Sequence, residues 1–142
     1  MAIIRHSPTE KQMASPTNCK FTESHEWFRV DGDNGDTVVV GITQFAANEL
    51  TDVTYVQMKP AGTKVDSGAS LGEVESVKTT SDIYSVLSGS IVEINLEVAK
   101  DPSLVNSDPF GKGWLVKVRS TETGKLGGLM DAATYDAKHP VG

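Results

Sequence analysis

A short polar stretch between two strand-like runs constrains the fold of this sequence more than any other feature. The runs 71–74 and 83–87 are rich in β-branched or aromatic residues, and Gly72 and Gly89 lie near their ends. Between them, residues 79–82 are small hydroxyl or acidic residues, which favour a turn over a strand. We therefore predict a β-hairpin with Lys78 near its tip.

The side chain of Lys78 is expected to point into water, because lysine is almost always exposed and no partner is obvious nearby. The ordinary interpretation is a solvated charge at the end of a strand. A second interpretation is an amine presented to a modifying enzyme. Two strands would then fix the backbone while the stem stays mobile, and small neighbours such as Ser76, Thr79 and Ser81 would leave room for the enzyme.

Length and charge narrow the class of protein. A chain of 142 residues suits one domain. A formal net charge of −6 argues against nucleic acid or an anionic membrane as partner. We expect no transmembrane helix, because no run of about 18 apolar residues occurs. Cys19 is the single cysteine, so no internal disulfide can form, and this fits a reducing compartment.

The rest of the chain indicates a mainly β fold with short peripheral helices and a helical C-terminus. Residues 1–19 are rich in Ser, Thr and Pro and are interpreted as a disordered N-terminal extension, followed by a domain over 20–142. Alternation predicts strands over 21–30, 37–42, 53–58, 90–95 and 113–118. Helices are expected over 44–50 behind Thr43, in one turn opened by Asp101, and in the tail, where Asp131 is a candidate cap.

The same alternation assigns ten residues to the core. They are Val38, Val40, Ile42, Val56, Val74, Ile83, Ile91, Ile94, Leu115 and Val118.

Motifs for metal or catalytic chemistry fail on spacing. Three aspartates in the loop 31–36 have no distal Glu in register and no flanking helices, as an EF-hand would need. His25-Glu26 would need a second His three residues later to bind zinc, but Arg29 stands there. No Ser/His/Asp set and no Cys/His pair is found, so we predict no catalytic residues and no metal ligands.

Two segments resemble a known family. The run Glu75-Ser76-Val77-Lys78-Thr79-Thr80-Ser81-Asp82-Ile83-Tyr84-Ser85, with the Leu-Ser-Gly-Ser-Ile-Val-Glu-Ile-Asn of residues 87–95, is similar to the lipoyl-attachment segment of the glycine cleavage system H protein family. Ser24-His25-Glu26-Trp27 matches that family's Ser-His-Glu-Trp opening. The resemblance covers residues 21–138. It implies lipoate in amide linkage on Lys78.

The resemblance also implies a fold and a pocket. The fold would be a barrel-sandwich hybrid, as in lipoyl and biotinyl carriers, with two similar halves of sheet and the lysine at the tip of one. The family's arm-pocket residues correspond to Ser24, Glu26 and Asp82. A carboxylate near a primary ammonium makes physical sense, since partial burial strengthens the pair.

What the resemblance implies about function is a carrier and not an enzyme. The arm would accept an aminomethyl group from glycine decarboxylase (P protein). It would hand this group to tetrahydrofolate on the aminomethyltransferase (T protein), and dihydrolipoamide dehydrogenase (L protein) would reoxidise it. A lipoate ligase or a lipoyl/octanoyl transferase would load Lys78. The expected state is a monomer, in the bacterial cytoplasm rather than a mitochondrial matrix.

Two positions depart from the family pattern. Phe45 stands where the family often has His, and Val86 stands where Pro usually follows Tyr-Ser. Any pocket role of that His is therefore absent or replaced here. Val86 should relax its strand and leave the lysine turn intact.

Other functions stay open on sequence alone. Lipoyl domains of 2-oxoacid dehydrogenases usually have Asp before the lysine, and biotin carriers have Met on both sides, whereas Val77 and Thr79 occur here. A Schiff-base enzyme would need Lys78 buried or beside a cation. A carrier that relays lipoate to other proteins is not distinguished from a glycine cleavage carrier.

Overall fold

The core lies between two antiparallel β-sheets in the computed structural model, which describes residues 15–31 and 35–140. The strands are β1 (Lys20–Phe21), β2 (Glu26–Asp31), β3 (Thr37–Ile42), β4 (Val53–Met58), β5 (Lys64–Val65), β6 (Ser70–Ser76), β7 (Thr80–Tyr84), β8 (Gly89–Ile94) and β9 (Val116–Arg119). Six form a sheet in the order β1-β2-β3-β9-β8-β5, and three form a sheet in the order β4-β6-β7.

Short helices surround the sheets. They are α1 (Gln44–Leu50), α2 (Leu96–Lys100), α3 (Leu104–Ser107), a 3-10 helix (Thr123–Gly128) and α4 (Ala132–Lys138). The prediction of a mainly β fold with peripheral helices and a helical C-terminus is confirmed. No helix in the described part of the chain has the length and apolar character needed to cross a membrane.

Nine of the ten residues predicted to face the core are buried, and the exception is Ile94, which is half-buried. The physical reason is a shift in register between Ile91 and Glu93 where β8 pairs with β9. An irregularity of this kind breaks the alternation of side chains, so two consecutive residues, Val92 and Glu93, are both exposed. Ile94 then lies at the margin of the core and not inside it.

The pair Ile91 and Ile94 gives a direct test of this packing. Ile91→Ala should lower the free energy of unfolding by about 2–5 kcal/mol. Ile91 is only 1% exposed, so truncation of its side chain leaves a cavity in the core. Ile94→Ala should cost only about 1 kcal/mol, because the side chain is half-buried. Chemical denaturation of both variants measures the two costs. Equal losses would show that the register shift does not turn Ile94 outward.

A second apolar cluster lies on the opposite face of the larger sheet. It contains the buried residues Cys19, Phe21, Trp27, Val39, Ala132 and Tyr135. The rings of Phe21 and Tyr135 stack with centroids 4.9 Å apart. Because α4 covers this face, β3 is buried on both sides, and its residues from Val38 to Ile42 are all buried. Alternation alone does not predict a strand of this kind.

The second cluster reaches into the segment predicted as an N-terminal extension over 1–19. Cys19 is 1% exposed, and Ser15 bonds the carboxylate of Asp136 through both its N–H and its hydroxyl. Packing against α4 therefore begins before residue 20. Residues 1–14 lie outside the described part of the chain.

The region after β8 corrects one prediction. The predicted single turn from Asp101 to Leu104 is formed, since the Leu104 N–H donates to the Asp101 carbonyl at 3.2 Å. Asp101 is not its side-chain cap, because the carboxylate accepts from the Ser103 hydroxyl, and α3 begins at Leu104. The unpredicted helix α2 precedes it and is capped by Asn95, whose side chain accepts from the N–H of Glu97. Asn95 satisfies a free N–H of the first turn, and this role favours Asn at such a position.

Helix α1 was predicted with its bounds and its cap. Thr43 accepts from the N–H of Ala46 at 3.2 Å, and Asp131 caps α4 in the same way through the N–H of Thr134. The buried face of α1 is Ala47 and Leu50, whereas Ala46 is half-buried and lies at the edge of a cleft described below.

Candidate functional site at the lysine hairpin

The predicted hairpin is formed by β6 and β7, and its turn is fixed by one serine. The Ser76 N–H donates to the Thr79 carbonyl at 2.8 Å. The Ser76 hydroxyl oxygen accepts from the N–H groups of Lys78 and Thr79 at 3.1 and 3.2 Å. A further bond joins the Val77 N–H to the carbonyl of Asp52, outside the hairpin. The backbone of Lys78 is therefore held from both sides.

The side chain of Lys78 is exposed, as predicted, but it has a partner that the sequence did not suggest. Its Nζ donates to the backbone carbonyl of Glu49 at 3.3 Å. Glu49 lies in the last turn of α1, where carbonyls have no partner within the helix. The partial negative charge at this helix end also favours a nearby ammonium. No sequence signal could have identified the contact, because a backbone atom makes it.

A cleft of about 150 Å³ opens beside this contact. Three segments form its walls: the turn before β2, the inner face of α1 and the strand β7. The lining residues are Ser24, His25, Ile42, Ala46, Glu49, Leu50, Ser81, Asp82 and Ile83. Because Glu49 both lines the cleft and bonds Nζ, the amine of Lys78 contacts one of the residues that form the cleft wall.

Of the three predicted pocket residues, Ser24 and Asp82 line the cleft and Glu26 does not. Glu26 is 2% exposed and lies beneath the wall. One carboxylate oxygen accepts from the hydroxyls of Thr22 and Ser24 at 2.6 and 2.7 Å, and the other accepts from the N–H of Tyr84 at 3.1 Å. In this structure the Glu26 carboxylate joins β2 to β7, and its role in the arm pocket stays a prediction.

Asp82 is exposed and only loosely bonded. Its two oxygens lie 3.4 Å from the hydroxyls of Ser70 and Tyr84. It lies directly opposite Glu73 across the strand pair, and two like charges so placed repel each other. Asp82 also borders a larger groove of about 350 Å³ on β4, β6 and β7, whereas Glu49, whose carbonyl accepts from the amine of Lys78, lines the smaller cleft. The smaller cleft is the one next to the amine.

His25 is a cleft residue that the sequence analysis placed only within a motif. Its φ of 73° is in the left-handed region, which non-glycine residues rarely adopt. Its ring lies 4.7 Å from the ring centroids of both Phe45 and His139. Phe45, the departure from the family pattern, therefore packs on His25 and is absent from the cleft lining.

Burial lowers the pKa of His25 below its usual 6.5, and the neighbouring His139 lowers it further. The carboxylates of Glu26, Glu23 and Glu49 raise the pKa of His25, but their effect is smaller than the lowering by burial and His139. His25 is therefore neutral at neutral pH in the folded protein.

The pH dependence of stability should show this shift. Below pH 6.5 the unfolded chain binds a proton at His25 before the folded chain does, so the free energy of unfolding should fall as pH drops from 6.5 to the lower folded pKa. His25→Asn should flatten the slope in that window, and Asn tolerates a positive φ. Denaturation midpoints from pH 5 to 8 measure it. An unchanged slope would contradict the assignment to His25.

The chain is similar to known proteins over most of its length. The family model described as "Glycine cleavage H-protein" matches residues 19–140. The chain is 45% identical to the glycine cleavage system H protein of Marinobacter nauticus over 124 residues, which is 87% of this chain and 93% of that protein. It is 45% identical over 123 residues to the glycine cleavage system H protein of Thermus thermophilus, which is 87% of this chain and 94% of that protein.

A solved structure agrees with the sequence comparisons. The crystal structure of a glycine cleavage system H protein from Mycobacterium marinum superposes with a TM-score of 0.78 at 38% identity. The match covers 89% of this chain and 100% of that one. The family match over residues 19–140 includes the strands of both sheets, the hairpin and the residues that line the cleft.

Proposed function

This chain belongs to the glycine cleavage H-protein family, and we propose that Lys78 is the residue on which it carries lipoate. The chain is a lipoyl carrier of the glycine cleavage system with a barrel-sandwich fold, as its relatives and the solved neighbour indicate. The observation that supports Lys78 is its position. Its amine is exposed at the tip of a pinned hairpin and bonds Glu49, a residue that lines the adjacent cleft.

The residues around Lys78 fit a lipoyl group. The cleft lining combines four apolar side chains, Ile42, Ala46, Leu50 and Ile83, with polar ones. A cleft of about 150 Å³ suits a small sulfur-containing ring packed on the apolar residues, while Ser24 and Asp82 offer polar groups. The exposed amine leaves space for the modifying enzyme, since Val77 beside it is 68% exposed.

The residues around Lys78 would then have distinct roles. The bound lipoate would supply the disulfide that takes up and passes on the aminomethyl group of glycine. Ser76 holds the backbone from which the arm extends, and α1 places the Glu49 carbonyl beside the amine. Asp82 would attract an ammonium on the arm, because its exposed carboxylate lines the cleft and carries the opposite charge. Glu26 would support this pocket from beneath by holding Ser24 and Tyr84.

We propose a non-catalytic carrier subunit that works with the other components of the glycine cleavage system. The partners would be glycine decarboxylase, the aminomethyltransferase and dihydrolipoamide dehydrogenase, and a lipoate ligase or lipoyl/octanoyl transferase would load Lys78. The small exposed turn supports such serial recognition, because each partner must reach the same arm. A monomer would leave the hairpin free for each of them.

The proposed location is the bacterial cytoplasm. The relatives compared above are bacterial proteins. Cys19 is a free, buried thiol, which is typical of a reducing compartment.

Reconstituted glycine–bicarbonate exchange tests the function. Lipoylated protein mixed with the glycine decarboxylase should support exchange, and the same protein without lipoate should not. A carrier that only relays lipoate to other proteins would be lipoylated and yet give no exchange, and that result would overturn the glycine cleavage assignment.

A further inference from the structure

We infer that Tyr135, on the C-terminal helix α4, is a positioning residue for the cleft beside Lys78. The inference rests on the proposed function, since it assigns the cleft to the lipoyl arm. Its basis is one hydroxyl with two partners. The Tyr135 oxygen lies 2.7 Å from Nδ1 of His25 and 2.7 Å from the hydroxyl oxygen of Thr43.

The two partners belong to two different walls of the cleft. His25 lies in the turn before β2 and lines the cleft together with Ser24. Thr43 is the N-cap of α1, the helix that supplies Glu49 to the cleft and to Lys78. The backbones of the walls already meet where the Thr43 N–H donates to the His25 carbonyl at 3.0 Å. The Tyr135 hydroxyl adds a bond between their side chains.

Tyr135 itself is held from outside the cleft. It is 1% exposed, and its ring stacks on Phe21 in the second apolar cluster. The end of α4 is tied to the same turn by an ion pair of 2.9 Å between Lys138 and Glu23. The hydroxyl is therefore placed by α4 and the second cluster, so that this cluster sets the spacing of the cleft walls.

The chemistry of the hydroxyl suits a fixed link. A phenol both donates and accepts, so one Tyr135 oxygen can satisfy His25 and Thr43 together. Burial raises the pKa of Tyr135 to about 12, so the hydroxyl keeps its proton at any working pH. Replacement by Phe removes both bonds and leaves the stacked ring in place.

Tyr135→Phe is the test, and Tyr55→Phe is its matched control, since Tyr55 is 49% exposed on β4. Amide hydrogen exchange is followed in protein with free Lys78. We expect faster exchange at His25 and Ala46, one amide on each wall, by about two- to tenfold, the factor that corresponds to one hydrogen bond. Amides of the barrel core, such as Ile91, should exchange faster only by the loss of global stability, which chemical denaturation of the same variant measures. Exchange equal to wild type at both wall amides would overturn the inference.

A second measurement uses protein whose lipoylation has been verified by mass. Tyr135→Phe should release ammonia from the aminomethyl-loaded arm faster than Tyr55→Phe does, by a similar factor, and an equal rate would overturn the positioning role. Absence of lipoate on the wild type would instead refute the proposed function, and the exchange result would still decide the role of Tyr135.

Should Tyr135→Phe fail to fold, His25→Asn removes only one of the two bonds and retains a residue suited to a positive φ. It should speed exchange at the wall that carries His25. If Tyr135→Phe folds, the double variant should be little faster than either single variant, because both remove the same link. Fully additive effects would contradict a shared link.

Discussion

Lys78→Arg should carry no lipoate and should otherwise fold and behave as the parent protein. The side chain is exposed, so its replacement disturbs no packing, and a guanidinium can still donate to the Glu49 carbonyl. Arg keeps the charge but lacks an amine that can be acylated. Intact mass of protein from a lipoate-competent host measures the result, and the parent should gain one lipoyl group.

Peptide mapping supplies the control for this prediction. The lipoyl group should be found wholly on the peptide that contains Lys78. Lys59 and Lys64 are exposed lysines elsewhere on the surface, and Lys64→Arg should load like the parent. Lipoate on either of these residues, or a lipoylated Lys78→Arg, would refute the assignment.

Glu26→Gln should lower the free energy of unfolding by about 1–3 kcal/mol, because it disrupts charge-assisted bonds in a buried site. A Gln amide can keep one oxygen for Thr22 and Ser24, but its NH₂ group then faces the N–H of Tyr84, and two donors cannot bond each other. The link between β2 and β7 should weaken. Chemical denaturation measures this loss.

Glu23→Gln is the control, since Glu23 lies in the same turn but its side chain is 66% exposed. It should change stability little. Lipoylation of Glu26→Gln should be normal, because Lys78 is held separately by Ser76. Release of ammonia from the aminomethyl-loaded arm should be faster than in the parent, since Ser24 loses its support. A variant as stable as the parent with the same release rate would remove Glu26 from the site.

The hairpin could be predicted because its signals are local. Small hydroxyl residues between two strand-like runs specify a turn, and the hairpin of β6 and β7 forms there. The helix α1 was predicted for the same reason, since Thr43 and the residues after it contain the whole signal.

The burial of Glu26 could not be predicted, because its partners Thr22, Ser24 and Tyr84 come together only in the folded sheets. Sequence alone treats a carboxylate as exposed. The turn at His25 and the tie through Tyr135 depend likewise on residues 110 positions apart. Ile94 was misplaced because a register shift has no clear signature in a single sequence.

The contact between α4 and the cleft has a consequence for the order of synthesis. Ala132, the first residue of α4, is translated 54 residues after Lys78, an interval of roughly 3 to 11 s at ordinary rates. The strands β4, β6 and β7, which present the lysine, all come before α4 in the sequence. A nascent chain can therefore expose the amine of Lys78 before α4 has been made. Under the proposed function, attachment of the arm would not have to wait for the cleft that would later receive it.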